Sequence, residues 1–352
     1  MSVLKKFLTV VLVIFICIGF VYSPSAFAKK KYTIKIATLA PKSVGWAKNI
    51  RAIMHPAIKR ATDGNVKLKW YWGGVLGDDR DYIQKMKIGQ IDGAAFSGQG
   101  VVLACPPMAI LELPFMFENW DEIDFIRDKM LDTFDKMAEE NGYKLVMWAD
   151  QDFDQIYSIK YKMATYDDFK KARVITWYGP LEQKVLETLG SSPVPVGVPE
   201  IVSSMRQGIA DTCIAPSIAV VGFQMYTIIK YVNPINIRYS PAASLCRLEF
   251  WNSMPAEYRK NLDSVRQNEL KELIKRCRED SERAYNAMIK YGMQETKMDP
   301  AVVADMKAKC KEIWYDMAYK SEAEKGQAGK YYSKKTLDEL IHYLEEFRAK
   351  KK

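Results

Sequence analysis

Between Tyr32 and Phe96 the apolar residues change period four times, and that alternation constrains the fold more than any other feature of the sequence. Tyr32-Thr33-Ile34-Lys35-Ile36-Ala37-Thr38 alternates as a strand and runs into a loop over 39–44. Trp46, Ile50, Ile53, Met54 and Ile58 then recur at helical spacing. After the turn Thr62-Asp63-Gly64-Asn65, Val66 to Trp72 alternates again, and Gly73-Gly74 ends it. Asp78 is placed to cap a helix reaching Ile88-Gly89, and Ile91 to Phe96 reads as a short buried strand. Strand–helix–strand–helix–strand at this spacing predicts a parallel sheet with crossover helices, an α/β unit.

The pattern restarts further on. Asn119 to Asn141 is helical and Tyr143 to Ala149 a strand. A strand through Ser158-Ile159-Lys160, a turn at Asp167-Asp168, a strand Arg173 to Trp177 and a helix Leu181 to Leu189 follow. Pro193 to Val196, a helix Glu200 to Gln207 and a strand Ile209 to Ala215 complete a second α/β unit, joined to the first without a low-complexity linker. Beyond Pro255 the chain reads as helices over 255–291, 300–320 and 335–352, amphipathic and suited to clamp the two units together.

The first 28 residues stand apart. Lys5 and Lys6 precede an apolar run from Phe7 to Val21, and Ala26-Phe27-Ala28 supplies an A-x-A site, the order of a secretory signal peptide. Cleavage after Ala28 is expected to leave 324 residues, exported to the periplasm. The leader carries two Lys and no acid, so its loss lowers the net charge from +9 to +7. No dense basic block lies outside the extreme C-terminus, so a nucleic-acid partner is not expected. Cys105, Cys213, Cys246, Cys277 and Cys310 remain, an odd number without a C-x-x-C pair. Cys277 with Cys310 is the best-placed pair for a single disulfide; buried free thiols are the alternative.

No catalytic constellation is present. With His55 and His342 the only histidines, most His-dependent triads and multi-histidine metal sites are improbable. There is no G-x-S-x-G, H-E-x-x-H, Walker loop or dinucleotide fingerprint. Phe96-Ser97-Gly98-Gln99-Gly100 lacks the Lys-Ser/Thr of a phosphate loop. Neither catalytic residues, a metal nor a cofactor are expected. An exported two-unit α/β chain of this kind reads as a binding protein with its site in the cleft between the units.

Gly74-Val75-Leu76-Gly77-Asp78-Asp79-Arg80 followed by Gly89-Gln90-Ile91-Asp92-Gly93 carries a resemblance to a family, as do Leu113-Pro114-Phe115 and Leu189-Gly190-Ser191-Ser192-Pro193-Val194-Pro195. Pro199-Glu200-Ile201, Gln207-Gly208-Ile209-Ala210-Asp211 and Trp251-Asn252-Ser253-Met254-Pro255 extend it in the same order. Together they resemble the DctP-type periplasmic solute receptors of tripartite ATP-independent periplasmic (TRAP) transporters. The resemblance implies a two-lobed, type II-like periplasmic-binding-protein fold with crossing strands, a long lobe-spanning helix and a helical C-terminal region. Lobe I is then expected over 29–153, completed by a return segment near 236–254, lobe II over 154–235, and C-terminal helices over 255–352. It also implies a small organic solute as ligand and docking on the small and large membrane subunits of an ion-gradient-driven permease; the alternative is a ligand-sensing periplasmic protein that uses the same cleft and partners a membrane signalling protein. The receptor is expected to be a monomer.

One departure bears on the ligand. The resemblance places Ile175 where the family usually carries an Arg that forks a ligand carboxylate, and puts Gln155 near the position of a second arginine. Arg173 shares a strand face with Ile175 and is the first candidate to replace the cation, although the family usually has a Lys there. Ile214 and Ala215 lie where polar groups often face ligand, so the wall is expected to be apolar. Trp46, Phe96 and Trp177 offer aromatic faces, with Asp79, Ser97, Gln99 and Gln155 as polar partners, for a flat or partly apolar solute.

Overall fold

The computed structural model describes residues 30–43, 45–176 and 179–351; the expected leader and Trp177 lie outside them. The alternation at the N-terminus gives β1 (Tyr32–Thr38), α1 (Gly45–Ala61), β2 (Val66–Tyr71), α2 (Asp79–Lys87) and β3 (Gly93–Phe96). β2, β1 and β3 pair in parallel. The helical spacing read from the sequence is the buried face of α1, with Ile50, Ile53, Met54 and Ile58 turned inward. Asp78 caps α2 in a reciprocal box with Asp81. Gly77 makes that box fit: its φ is +99°, and a Cβ there would sit 2.0 Å from the Asp81 carboxylate.

The glycine-rich stretch after β3 is helical, α3 (Gly98–Ala104), and a 3₁₀ segment Pro106–Glu112 follows. Next come α4 (Trp120–Glu140), capped by Asn119, and β4 (Tyr143–Ser158). The sequence reading broke β4 into two strands around 150–155. Asp150, Asp152 and Asp154 interrupt its apolar alternation there, yet the backbone stays paired, with register shifts at those residues.

The second unit holds α5 (Tyr166–Lys171), β5 (Arg173–Thr176), α6 (Pro180–Thr188), β6 (Ser192–Pro195), α7 (Ile201–Arg206), β7 (Thr212–Pro216) and α8 (Ser217–Gly222). A turn was expected where α5 lies. Thr165 and Asp168 form a second reciprocal capping box and convert that turn into a short helix. β8 (Tyr231–Arg247) then runs back antiparallel to β4.

Among the described residues the main sheet has the order β2-β1-β3-β8-β4-β7-β5-β6, so β4 and β8 cross from one unit to the other. α9 (Leu248–Ser253) leads into α10 (Ala256–Tyr291), 36 residues and about 54 Å long. α10 packs on α1, β4 and α8, touching both halves. α11 (Pro300–Asp316) lies against α6, and α12 (Lys334–Lys351) against α4.

The expected Cys277–Cys310 bridge is not formed. All five described cysteines are buried and free, and these two sit in separate apolar cores. Burial pushes both thiols up to about 12, which keeps them protonated and unreactive.

Candidate functional site

In an open α/β sheet the carboxyl ends of the parallel strands are where a ligand crevice forms. The carboxyl ends of β1 and β3 face those of β5 and β7 across one seam, and the two halves touch along it. A Cβ on Gly45 would lie 3.0 Å from Ile218 Cγ1, and one on Gly179 would lie 1.8 Å from Gln99 Oε1. A Cβ on Gly197 would meet the Asp78 carboxylate at 3.4 Å. Two small cavities remain in the seam. One, of about 40 Å³, is lined by Leu39, Trp46, Ser97, Gln151, Val198 and Ile218 among others. The other, of about 20 Å³, is lined by Leu39, Asp79, Arg80, Ser97, Gln99 and Val198 among others.

Behind the seam lies a buried ionic cluster. Arg238, in the middle of β8, donates from Nε to Asp154 Oδ2 at 2.6 Å and from Nη2 to Glu182 Oε1 at 3.3 Å. Its Nη1 is 3.3 Å from Glu112 Oε2, which also accepts from Gln99 Nε2 at 3.1 Å. Glu112 comes from the first half, Asp154 from a crossing strand and Glu182 from the first turn of α6. All four side chains are essentially without solvent exposure. Three carboxylates surround one guanidinium. Burial, against the pull of Arg238 and with Asp154 and Glu182 adding to it, pushes Glu112 up to about 8. Burial also raises Asp154. At the seam Asp79 accepts from Ser97 Oγ at 2.9 Å, and burial pushes it up to about 7.

The cluster is incompletely satisfied. Asp79 Oδ1, Gln99 Oε1, Glu112 Oε1, Asp154 Oδ1 and Arg238 Nη1 are buried without a hydrogen-bond partner. Buried polar atoms in a native protein normally have one. A Cβ on Gly98 would lie 3.0 Å from both Glu112 Oε1 and Ser240 Oγ, so a side chain there would cover these groups.

Of the residues singled out in the sequence, Trp46, Asp79, Ser97 and Gln99 line the seam cavities. Phe96 is fully buried, and a Cβ on Gly100 would meet its ring at 2.8 Å; it is core. Ile175, Ile214 and Ala215 are also buried in the sheet. Gln155 turns to a separate groove of about 920 Å³ between α4 and α10, where its Oε1 accepts from Tyr157 and Ser217. Arg173 does not reach the seam. It stands at the amino end of β5, its side chain half exposed, with Nε 3.5 Å from Asp211 Oδ2. The seam forms at the other end of that strand, beyond Thr176.

Glu112, Asp154, Glu182 and Arg238 were not singled out. Two of them carry a signal in the sequence: Glu112 interrupts the apolar run from Met108 to Phe117, and Arg238 stands among apolar neighbours in β8. A charge in such a stretch needs buried partners.

The model of the DctP family, bacterial extracellular solute-binding protein, family 7, matches residues 37–321, and the chain belongs to that family. Its members are binding proteins, not enzymes. The chain spans about half the length of the first curated relatives it matches, among them a solute-binding protein of Chromohalobacter salexigens, 25% identical over 44% of this chain and 46% of that one. The C4-dicarboxylate-binding periplasmic protein DctP of Rhodobacter capsulatus is 22% identical over 75% of this chain and 78% of its own. The crystal structure of the sugar acid binding protein DctPAm from Advenella mimigardefordensis, in complex with galactonate, superposes with a TM-score of 0.81 at 16% identity, covering 90% of this chain and 99% of that one. A TRAP periplasmic solute-binding protein from Haemophilus influenzae with bound L-gulonate gives 0.80 at 17% identity, over 89% and 100%. The fold is thus the two-lobed periplasmic-binding fold of these receptors.

Proposed function

We propose that the protein is the exported solute receptor of a TRAP transporter, taking a small polar organic solute between its lobes and delivering it to an ion-gradient-driven membrane permease. The observation that carries this reading is the contact of Gln99 with Gly179 across the seam, beside buried polar atoms that lack partners. Such atoms are what a solute enclosed by lobe closure would satisfy. The family membership and the named ligands of similar proteins support a small organic solute, hydroxylated acids being the precedent. In this reading the leader over 1–28 is removed, the mature chain is a monomer, and its partners are the small and large permease subunits. Glu112, Asp154, Glu182 and Arg238 join Trp46, Asp79, Ser97 and Gln99 as the ligand-facing set.

Small-angle scattering of the exported protein, stripped of ligand and then resupplied with the solute that copurifies, tests this. Compaction on resupply is expected. Identical profiles at saturation, or no saturable binding, would refute the receptor reading.

A further inference from the structure

We infer that the ligand presents a protonated nitrogen to the Glu112–Asp154–Glu182 cluster, and that this receptor selects for positive charge where its relatives are named for acids. The inference rests on the receptor reading above and adds the charge of the ligand. Four buried carboxylates, those of Asp79, Glu112, Asp154 and Glu182, lie at or behind the seam, against one buried cation, Arg238. Arg80 lines the smaller cavity but is itself exposed.

Arg238 already faces three carboxyl groups, so a ligand carboxylate at its remaining donor atom, Nη1, would sit beside all of them. A further anion brought beside this cluster would be repelled by its ionised members in a medium that screens charge poorly. Ile175 is fully buried and has no charge to offer. Arg173, the candidate replacement, faces Asp211 instead.

Hydrogen-bond capacity points the same way. Asp79 Oδ1, Gln99 Oε1, Glu112 Oε1 and Asp154 Oδ1 are oxygens without a hydrogen-bond partner, against a single such nitrogen, Arg238 Nη1. Gln99 has already turned its amino group to Glu112, leaving its carbonyl oxygen against Gly179. A site rich in carboxyl oxygens, which ionise more readily once a cation lies beside them, is complemented by an ammonium, which brings three N–H donors and a positive charge. A carboxylate brings neither.

The test uses the exported chain purified without refolding. Mass spectrometry of the denatured protein identifies what copurifies, and calorimetric titration compares putrescine, arginine and 4-aminobutyrate with succinate, galactonate and glucuronate. A nitrogen base is expected as the copurifying solute, and affinity within the panel is expected only for amine-bearing compounds. Asp154→Asn should weaken that affinity by about a hundredfold or more. Glu112→Gln, which keeps the shape and the acceptor facing Gln99, repeats the measurement should the first variant fail to fold. A nitrogen-free acid bound in the seam, amine affinity indifferent to both substitutions, or no amine affinity at all would overturn the inference. Compaction in scattering with such an acid would leave the receptor reading standing; loss of compaction with every bound solute would remove both.

Discussion

Arg238 and Asp154 face each other directly on the two crossing strands, with Nε 2.6 Å from Oδ2. The same guanidinium reaches Glu112 of the first half and Glu182 of the second. One side chain on a crossing strand therefore touches both halves of the molecule.

Removing that side chain should be costly. Arg238→Met removes the counter-charge of the ionised members of the cluster, and breaking a buried pair costs about 3–5 kcal/mol. Urea unfolding at neutral pH should show a loss of this size, with Arg238→Lys recovering part of it. A loss below ~1 kcal/mol would mean that the acids are already neutral or hydrated.

The ligand-free protein should be less stable at pH 8 than at pH 5.5. Glu112 is pushed up to about 8 by burial, and Asp79 and Asp152 up to about 7 for the same leading reason. The groups facing Glu112 are Arg238, Asp154, Glu182 and Gln99. Facing Asp79 are Ser97 and Asp78, and facing Asp152 are Ser281, Asp154 and Asp150. A carboxyl whose folded value exceeds its unfolded one binds more protons when folded, so stability falls as pH rises between the two values. Thermal unfolding from pH 5 to 8 should show a falling midpoint, and Glu112→Gln should flatten the slope. A rising midpoint would contradict the assignment.

Gly179→Ala should hold the lobes apart. Its φ is −86°, so the backbone accepts alanine, but the new Cβ would overlap Gln99 Oε1 at 1.8 Å. Ligand affinity is expected to fall by about tenfold or more, since closure must then displace Gln99 from its bond to Glu112. Gln99→Ala in the same chain should relieve the overlap, and a double-mutant cycle by calorimetry reads the coupling.

Arg173→Ala should leave ligand binding unchanged. The side chain is half exposed and its partner is Asp211, an arrangement worth about 0–1 kcal/mol of stability. Loss of affinity in this variant would return Arg173 to the site.

The five described thiols should be silent to a thiol reagent in the native protein and all react after unfolding, with no mass change on reduction of the intact chain. Oxidised Cys277 and Cys310 in the exported protein would contradict the separate placement of the two in the cores.

Period and capping chemistry are local, and they were legible in the residues. Ile50, Ile53, Met54 and Ile58 named the buried face of α1, and Asp78 named the start of α2. The ordered motifs from Gly74 to Pro255 carried the family. The continuity of β4 was hidden because Asp150, Asp152 and Asp154 resemble loop residues until β8 supplies their partners. The site was legible only in part: Trp46, Asp79 and Ser97 follow strand ends that the pattern located.

What the sequence determined by itself is the alternation of elements and their faces, because each is set by neighbours within a few residues. Tertiary structure alone decided the chemistry of the seam. Glu112, Asp154, Glu182 and Arg238 are separated by up to 126 residues in the chain and meet through the crossing of β4 and β8. Whether a charge is a solvated surface group or a buried, partnered one depends on what the fold brings beside it. Arg173 and Arg238 look alike in the sequence, and the sheet sends one to solvent and the other to the hinge.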